Sequence, residues 1–148
     1  MFTGIIIDVG TIKSVKKGKK EIEMAIYTEK LTSLKEGMSI SCAGICLTVI
    51  SYENYENGYL FNVYISNETL KRSNFKKLRK GNILNLEKSL VFGQKISGHF
   101  TQGHVDTVAE VLKIDVIDKS WVIKFKIREK KLLNFLVEKA SISINGVS

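Results

Sequence analysis

The stretch Ser39-Ile40-Ser41-Cys42-Ala43-Gly44-Ile45-Cys46 decides the fold, because a second version of it, Ser141-Ile142-Ser143-Ile144-Asn145-Gly146-Val147-Ser148, follows 102 positions later. An earlier pair of segments also matches: Phe2-Thr3-Gly4-Ile5-Ile6 resembles Thr101-Gln102-Gly103-His104-Val105, 99 positions later. Two matched blocks in the same order indicate a module of about 100 residues that is present twice. We therefore expect a first copy over residues 1–97, whose last part, 88–97, is a linker, and a second copy over residues 98–148.

Each copy has the pattern of β-strands. Ile22, Met24 and Ile26 alternate with Glu21, Glu23 and Ala25, which gives one apolar face at a period of two residues. Residues 123–127 repeat this alternation in the second copy. The sequence therefore predicts a half-buried strand at the same place in both copies.

Further strands follow in the first copy. Residues 47–50 and 59–65 are rich in β-branched and aromatic side chains, and the polar stretch 53–58 between them predicts a hairpin. Residues 82–87 form the last predicted strand. Two short helices are expected between strands, at 29–36 ending at Gly37 and at 67–73 capped by Ser66 or Asn67.

Six short strands with one apolar face favour a closed barrel, because closure removes exposed strand edges. The predicted fold is all-β: a duplicated six-stranded antiparallel Greek-key β-barrel. The first copy continues for about 40 residues beyond Cys46, whereas the second stops at the corresponding Ser148. We therefore expect the second barrel to be incomplete and truncated.

Composition excludes several classes of protein. Hydrophobic residues make up 44% of the chain and charged residues 26%, which is typical of a folded globular protein. No apolar run is long enough for a membrane span, and no basic segment precedes the first apolar residues as in a signal peptide. Two cysteines are too few for a disulfide scaffold. We expect a cytoplasmic protein with no membrane partner.

The formal net charge of +8 permits binding of single-stranded nucleic acid by a small basic barrel. However, the lysines are spread over several turns, and the aromatic residues gather around one hairpin without interleaved Lys or Arg, namely Tyr52, Tyr55, Tyr59, Phe61 and Tyr64. A stacking groove needs both kinds of residue together. The preferred interpretation is a solvated basic surface with no nucleic-acid partner.

Four motifs resemble those of the riboflavin synthase family, in the correct order along the whole chain. They are Met1-Phe2-Thr3-Gly4-Ile5-Ile6 at the start, Cys46-Leu47-Thr48-Val49 after the small-residue turn, Asn67-Glu68-Thr69-Leu70, and Gly98-His99-Phe100-Thr101-Gln102-Gly103-His104-Val105-Asp106 at the junction of the copies. Ala43 departs from the family's common Asn, and Ser97 from its first junction glycine.

The resemblance implies a lumazine-binding barrel in each copy and a dismutation that needs no cofactor. Two molecules of 6,7-dimethyl-8-ribityllumazine give riboflavin and 5-amino-6-(D-ribitylamino)uracil. The resemblance further implies a homotrimer, in which the first barrel of one subunit and the second barrel of a neighbour form one site, and a possible association with lumazine synthase. Holding two reactants together can lower a barrier by about 7–11 kcal/mol.

The resemblance also assigns residues. The family pattern suggests Ser39, Cys46 and His104 as catalytic groups. Substrate-binding positions in the first barrel are expected to be Gly4, Ile5, Ile6, Cys46, Leu47, Thr48, Tyr64, Ile65, Ser66, Asn67, Glu68 and Thr69. In the second copy they are expected to be Gly103, His104, Val105, Lys139 and Ser148.

Other interpretations remain open. The fold has relatives that only bind lumazine or flavin, so a non-catalytic binding protein is the alternative function. Cys42, Cys46, His99 and His104 fall within a loose zinc-ligand spacing, although the segment between the pairs is much longer than in a zinc finger, so we expect no metal site. Cys42 is expected to be a buried apolar residue and His99 a structural residue of the junction.

Overall fold

The structure is a computed structural model that describes residues 1–19 and 21–148. Its contacts divide the chain into two compact units. The first comprises Met1–Val105 together with Ser141–Ser148, and the second comprises Asp106–Ala140. Compact units and sequence repeats are different divisions of a chain, so the predicted copy boundary between residues 97 and 98 stays a prediction.

The first unit contains a closed barrel of six antiparallel strands, in the spatial order β1-β2-β5-β4-β3-β6. β6 pairs with both β3 and β1 and so closes the sheet on itself. This confirms the predicted barrel. The strands are β1 Asp8–Lys17, β2 Glu21–Thr28, β3 Ser39–Cys42, β4 Ile45–Tyr55, β5 Gly58–Ser66 and β6 Ile83–Lys88.

Alternation along the strands fills the barrel. Ile22, Met24 and Ile26 of β2 are buried, as their spacing predicts, and they belong to one apolar cluster with Phe61 and Val63 of β5. β2 and β5 are paired along their whole length, so these side chains lie side by side on the inner face. The barrel is therefore a packed core and not a lumen.

The predicted helix over residues 29–36 is wrong. The carboxylate of Asp8 accepts hydrogen bonds from the two backbone N–H groups that follow Thr28, at 3.1 and 2.9 Å, and the Thr28 hydroxyl also bonds to this carboxylate. These contacts give partners to the backbone N–H groups at the start of a turn, but Ser33 adopts a left-handed conformation with φ of 58°. A helix cannot continue through such a residue, so the segment crosses the barrel end as an irregular loop.

The second predicted helix is confirmed as α1, Asn67–Arg72. Ser66 is its N-cap, since the Ser66 hydroxyl accepts a hydrogen bond from the N–H of Thr69. The helix ends before Ser73, one residue earlier than predicted. A single 3₁₀ turn, Phe75–Lys77, follows and buries the ring of Phe75 in the barrel core.

The second unit contains a hairpin of two further strands and a 3₁₀ helix. Their bounds are β7 Ala109–Ile117, β8 Ser120–Ile127 and the 3₁₀ helix Lys130–Phe135. Many large apolar side chains of this hairpin are exposed, such as Val116 and Trp121, because two strands cannot enclose a core. The observed two-stranded sheet agrees with the expected incomplete second barrel.

The pairing of β7 with β8 repeats the pairing of β1 with β2. The strand register shifts between Ile12 and Ser14 in β1, and it shifts between Val111 and Lys113 in β7. The shift in β7 lies 99 positions after the shift in β1, which is the same offset that relates the first pair of matched segments. A shared irregularity at the same place shows that the duplication extends to backbone geometry.

In the described part of the chain, no helix has the length and apolar character of a membrane span.

Candidate functional site

The outer face of β3 and β4 carries several of the predicted site residues. Ser39 lies opposite Thr48, and Ser41 lies opposite Cys46, in the antiparallel ladder of these two strands. The residues between them face the core, and Leu47 is an example. Strand alternation therefore places Ser39, Cys46 and Thr48 together on the outside of the barrel.

The second predicted segment, residues 64–69, leaves the barrel at the same place. Val49 of β4 is paired with Val63 of β5, so the residues before Val49 and those after Val63 lie at the same end of the ladder. This brings Thr48 and the β5–α1 connection close together. The structure thus gathers two predicted groups that are distant in sequence.

Polar side chains dominate the β5–α1 connection. Tyr64, Ser66, Asn67 and Glu68 are exposed, and the hydroxyl oxygens of Ser66 and Thr69 are 3.2 Å apart. The Tyr64 phenol donates a hydrogen bond to Glu21, and this bond raises the pKa of the phenol. Partial burial raises it further. The ion pair of Glu68 with Arg72, at 2.6 Å, lowers the pKa of the Glu68 carboxyl. Hydroxyl donors and acceptors are therefore available at neutral pH.

Two predicted site residues offer only their backbone to a ligand. The side chains of Leu47 and Ile65 are buried in the apolar cluster of the barrel. Their peptide groups remain on the strands that carry Thr48 and Ser66. Any role for Leu47 and Ile65 in binding therefore runs through N–H and C=O groups.

The junction segment of the second copy lies against the first barrel. The backbone N–H of Cys46 donates to the carbonyl of Gly103 at 2.8 Å. Two residues later, Val105 packs against the barrel core. His104, between them, is exposed. The structure therefore places Gly103, His104 and Val105 beside Cys46.

The corresponding segment of the first copy makes the reciprocal contact. The backbone N–H of Ser148 donates to the carbonyl of Gly4 at 2.8 Å. The segment in contact with Cys46 therefore comes from the second copy, and Gly4 contacts Ser148, so Cys46 and Gly4 lie beside the turn or lead segment of the other copy.

An antiparallel bridge between Phe2 and Thr101 explains this exchange. The N–H of Phe2 donates to the carbonyl of Thr101 at 2.8 Å, and the N–H of Thr101 donates back at 3.0 Å. The ring of Phe2 is completely buried. Because the two lead segments pair with each other, each reaches the other copy's turn.

The two glycine turns also meet. Ala43 and Gly44 have φ values of 49° and 85°, and Asn145 and Gly146 repeat them with 49° and 82°. A Cβ on Gly44 would lie 2.8 Å from the backbone nitrogen of Gly146, and the reverse distance is also 2.8 Å. Only glycine permits this approach, so the two turns meet with an approximate two-fold symmetry.

Ser148 has a polar partner that the sequence did not indicate. Nδ1 of His99 lies 2.6 Å from the Ser148 hydroxyl, and the backbone N–H of His99 donates to the carbonyl of Thr3 at 3.1 Å. His99 therefore belongs to the surroundings of a predicted site residue, besides its expected place in the junction. The one feature of the sequence that pointed to His99 was its position directly after Gly98 in the junction motif.

Lys139 lies in the second unit, exposed in a turn with φ of 63°. It stands 102 positions after Gly37, which has φ of 80°, so the two copies share this backbone conformation. No contact in the described structure assigns Lys139 a role, and its substrate-binding role stays a prediction.

The cysteines are not arranged as a metal site. The side chain of Cys42 is completely buried in the barrel core, and this burial raises the pKa of its thiol far above the usual range. Cys46 lies on the opposite face of the ladder. Over residues 1–19 and 21–148, no group of three or more His, Cys, Asp or Glu side chains could hold a metal ion. The loose zinc spacing finds no counterpart there.

A small cavity of about 230 Å³ lies between the glycine turns and β6. Its walls include Asn74, Asn85 and Asn145, and Asn85 donates to the carbonyl of Asn145 at 3.0 Å. No predicted site residue lines it.

Comparison with known sequences identifies a repeated family. The lumazine binding domain family matches the chain twice, over residues 3–89 and 102–148. Riboflavin synthase of Bacillus amyloliquefaciens is 37% identical over 150 aligned positions, which cover the whole chain and 67% of that relative. Riboflavin synthase of Brucella abortus is 34% identical, with 74% of its length covered.

Comparison with solved structures agrees. The crystal structure of LumP complexed with riboflavin matches with a TM-score of 0.88 and 28% identity, over all of this chain and 78% of that one. The complex of LumP with 6,7-dimethyl-8-(1'-D-ribityl) lumazine matches with a TM-score of 0.83 and 27% identity, again over all of this chain and 78% of that one. The repeated sequence match, the closed barrel and these similarities agree, and the chain belongs to the lumazine binding domain family, together with the riboflavin synthases that it resembles.

Proposed function

We propose that this chain binds 6,7-dimethyl-8-ribityllumazine on the outer face of its first barrel. The observation that carries the proposal is the hydrogen bond between Cys46 and Gly103 together with the packing of Val105 on the barrel. This contact forms one wall beside the polar groups of β4. LumP, which has the same fold, has been crystallised with this lumazine and with riboflavin.

The proposed first site has three sides. Cys46 to Thr48 form the floor, residues 64–69 supply hydroxyl and backbone groups, and residues 103–105 form the wall. Exposed Thr48 and Ser66 are open to a ligand. A flat heterocycle with many oxygen and nitrogen atoms needs such a mixture of backbone and hydroxyl partners.

A second site belongs around Ser148 in this proposal. Gly4, Ile5 and Ile6 form its wall, and Ser148 contributes a hydroxyl group. The repeat boundary at residues 97 and 98 is part of the same proposal.

We further propose that this chain acts as a riboflavin synthase. A four-carbon unit passes from one lumazine to the other, so one molecule becomes riboflavin and the other becomes 5-amino-6-(D-ribitylamino)uracil. The donor's bonds from its two ring nitrogens to this unit break, and its two ring carbons, each with its methyl group, bond to the two methyl carbons of the acceptor, which closes the new six-membered ring. The hydrogens that the acceptor's methyl carbons lose end on the nitrogen atoms of the released uracil. Ser39, Cys46 and His104 are the proposed groups for proton transfer and for activation of the ring.

The reaction needs two lumazines face to face, which suits a homotrimer in which barrels of neighbouring subunits meet. No cofactor enters this scheme, because both the donor and the acceptor are the substrate itself. A cytoplasmic location and an association with lumazine synthase, which would supply the substrate, complete the proposal.

A binding protein without turnover is the second candidate. The LumP complexes favour it, because they match the chain with TM-scores of 0.88 and 0.83. Binding needs only one complete site, whereas dismutation needs two neighbouring lumazines.

One titration separates the candidates. The chain is mixed with 6,7-dimethyl-8-ribityllumazine, and both the ligand fluorescence and the absorption of riboflavin are followed. Saturable quenching with growth of riboflavin supports the synthase. Saturable quenching alone supports the binding protein. The absence of any saturable change at millimolar protein would exclude both.

A further inference from the structure

Glu87 is a buried carboxylate on the outer face of the barrel. It lies on β6 opposite Ser41 of β3, and only 4% of its surface is exposed. Its neighbours Leu86 and Leu84 alternate with it and face the core. A charged group in such a place needs partners, because burial of an unpaired carboxylate is strongly unfavourable.

In the described part of the chain, the side chain of Glu87 accepts its hydrogen bonds from the N-terminal segment. One carboxylate oxygen accepts the backbone N–H of Thr3 at 2.6 Å and the Thr3 hydroxyl at 2.6 Å. The other oxygen accepts the backbone N–H of Gly4 at 3.0 Å. Three short hydrogen bonds thus fix residues 3 and 4 on β6.

The fixed N-terminal segment in turn holds the junction segment. Phe2 and Thr101 exchange two backbone hydrogen bonds, and the carbonyl of Thr3 accepts the N–H of His99. The ring of Phe2 also supports Gly103, since a Cβ on that glycine would lie 3.0 Å from the ring. Gly103 then accepts the N–H of Cys46.

We propose that Glu87 is a positioning residue for the first lumazine site, and this inference rests on the proposed function. Glu87 does not touch the site itself. It fixes residues 2–4 through hydrogen bonds. These residues pair with residues 99–103, and that pairing places Gly103 beside Cys46.

A carboxylate suits this position better than its amide. It offers acceptor lone pairs on both oxygens and no donor, and here all three partners donate. A glutamine would turn its NH₂ group toward one of these N–H or O–H donors and leave a buried donor unpaired. Glu87→Gln therefore weakens the arrangement while it keeps the size of the side chain.

Asp8 offers a matched control. It is also a buried strand carboxylate that accepts backbone N–H groups, but its partners lie beside it at Val9 and around the end of β2, at Thr28, Glu29 and Lys30. Asp8→Asn should therefore lower the stability of the barrel without displacing the junction segment.

The experiment measures the lumazine dissociation constant, by fluorescence titration, and the thermal midpoint for the natural chain, E87Q, D8N and Thr3→Val. We expect binding to weaken about tenfold in E87Q and about threefold in T3V, and to change less than twofold in D8N. T3V removes one of the three hydrogen bonds and keeps the result interpretable if E87Q does not fold.

Amide hydrogen exchange gives a second measurement that needs no ligand. The N–H groups of Phe2 and Thr101 should exchange faster in E87Q and T3V than in the natural chain, and at an unchanged rate in D8N. Equal affinity losses in E87Q and D8N, or unchanged exchange at Thr101, would overturn the inference and leave the proposed function intact. If the natural chain binds no lumazine, the proposed function and this inference both fall.

Discussion

The N–H of Cys46 donates to the carbonyl of Gly103 at 2.8 Å, and the corresponding pair in the other copy, Ser148 and Gly4, is joined over the same distance. Each copy therefore provides the turn that binds the other copy's lead segment. Both proposed sites therefore contain residues from the two copies.

The contact between glycine turns should be sensitive to a single methyl group. Gly44→Ala places a Cβ 2.8 Å from the nitrogen of Gly146 and also imposes a φ of 85° on alanine. We expect a loss of about 2–4 kcal/mol in the free energy of unfolding, measured with urea. Gly37→Ala is the control, because its φ is 80° but nothing lies within 4 Å. It should cost about 1 kcal/mol, and equal losses for the two variants would contradict the close contact.

Asp8 should make the barrel sensitive to acid. Burial alone would raise the pKa of Asp8, but hydrogen bonds from Thr28 and from the N–H groups of Lys30, Val9 and Glu29 outweigh it and hold the pKa below its ordinary value. A carboxyl group with a lowered pKa in the folded state stabilises the protein above its unfolded pKa. That stability is lost as the pH falls through the folded value.

The measurement compares urea unfolding of the natural chain and Asp8→Asn from pH 7 downward. D8N should be the less stable at pH 7, and the difference should shrink below about pH 4. A difference that stays constant to pH 2 would show that the charge of Asp8 is not involved.

The two cysteines should differ in reactivity toward a disulfide reagent. Cys42 is completely buried with a raised thiol pKa, whereas Cys46 is half-buried on the outer face. Since the thiolate is the reactive form, we expect one thiol per chain to react in the native protein and two in denaturant. The count is read from the released chromophore. Bound lumazine should slow the reaction of Cys46, and protection of neither thiol would argue against the proposed floor.

The hydroxyl of Thr48 should contribute to binding. Thr48→Val keeps the β-branched shape on β4 and removes only the hydrogen-bonding group. Loss of one neutral hydrogen bond weakens binding about three- to tenfold, as measured by lumazine titration. Thr11→Val, in β1 outside the proposed site, is the control. Similar affinities of the T48V and T11V variants would remove Thr48 from the site.

Lys13 should stabilise one end of the barrel. Its ammonium group lies 4.8 Å from the ring centre of Tyr27 and 5.1 Å from that of Tyr55, and it pairs with Glu56 at 3.5 Å. Lys13→Met should cost about 1 kcal/mol in urea unfolding. Lys16→Met is the control, since its ion pair with Glu23 is exposed. If K13M and K16M had the same free energy of unfolding, the contact of the Lys13 ammonium group with the two rings would contribute nothing to stability.

Local patterns in the sequence were enough to predict the strands. The alternation of Ile22, Met24 and Ile26 follows from the period of a β-strand, and the structure buries all three. The cap at Ser66 was equally readable, since its hydroxyl needs only neighbours three residues away. The loop after Thr28 was not, because the carboxylate that organises it comes from Asp8, twenty residues earlier.

By itself, the sequence determined that a β-barrel is present, that its pattern recurs, and which family motifs the chain carries. Tertiary structure alone decided which copy supplies each wall, and it revealed Glu87 as the anchor of the N-terminal segment. The physical reason is distance along the chain. Strand periodicity and caps depend on neighbours, whereas the pairing of Phe2 with Thr101 and of Thr3 with Glu87 depends on closure of the barrel.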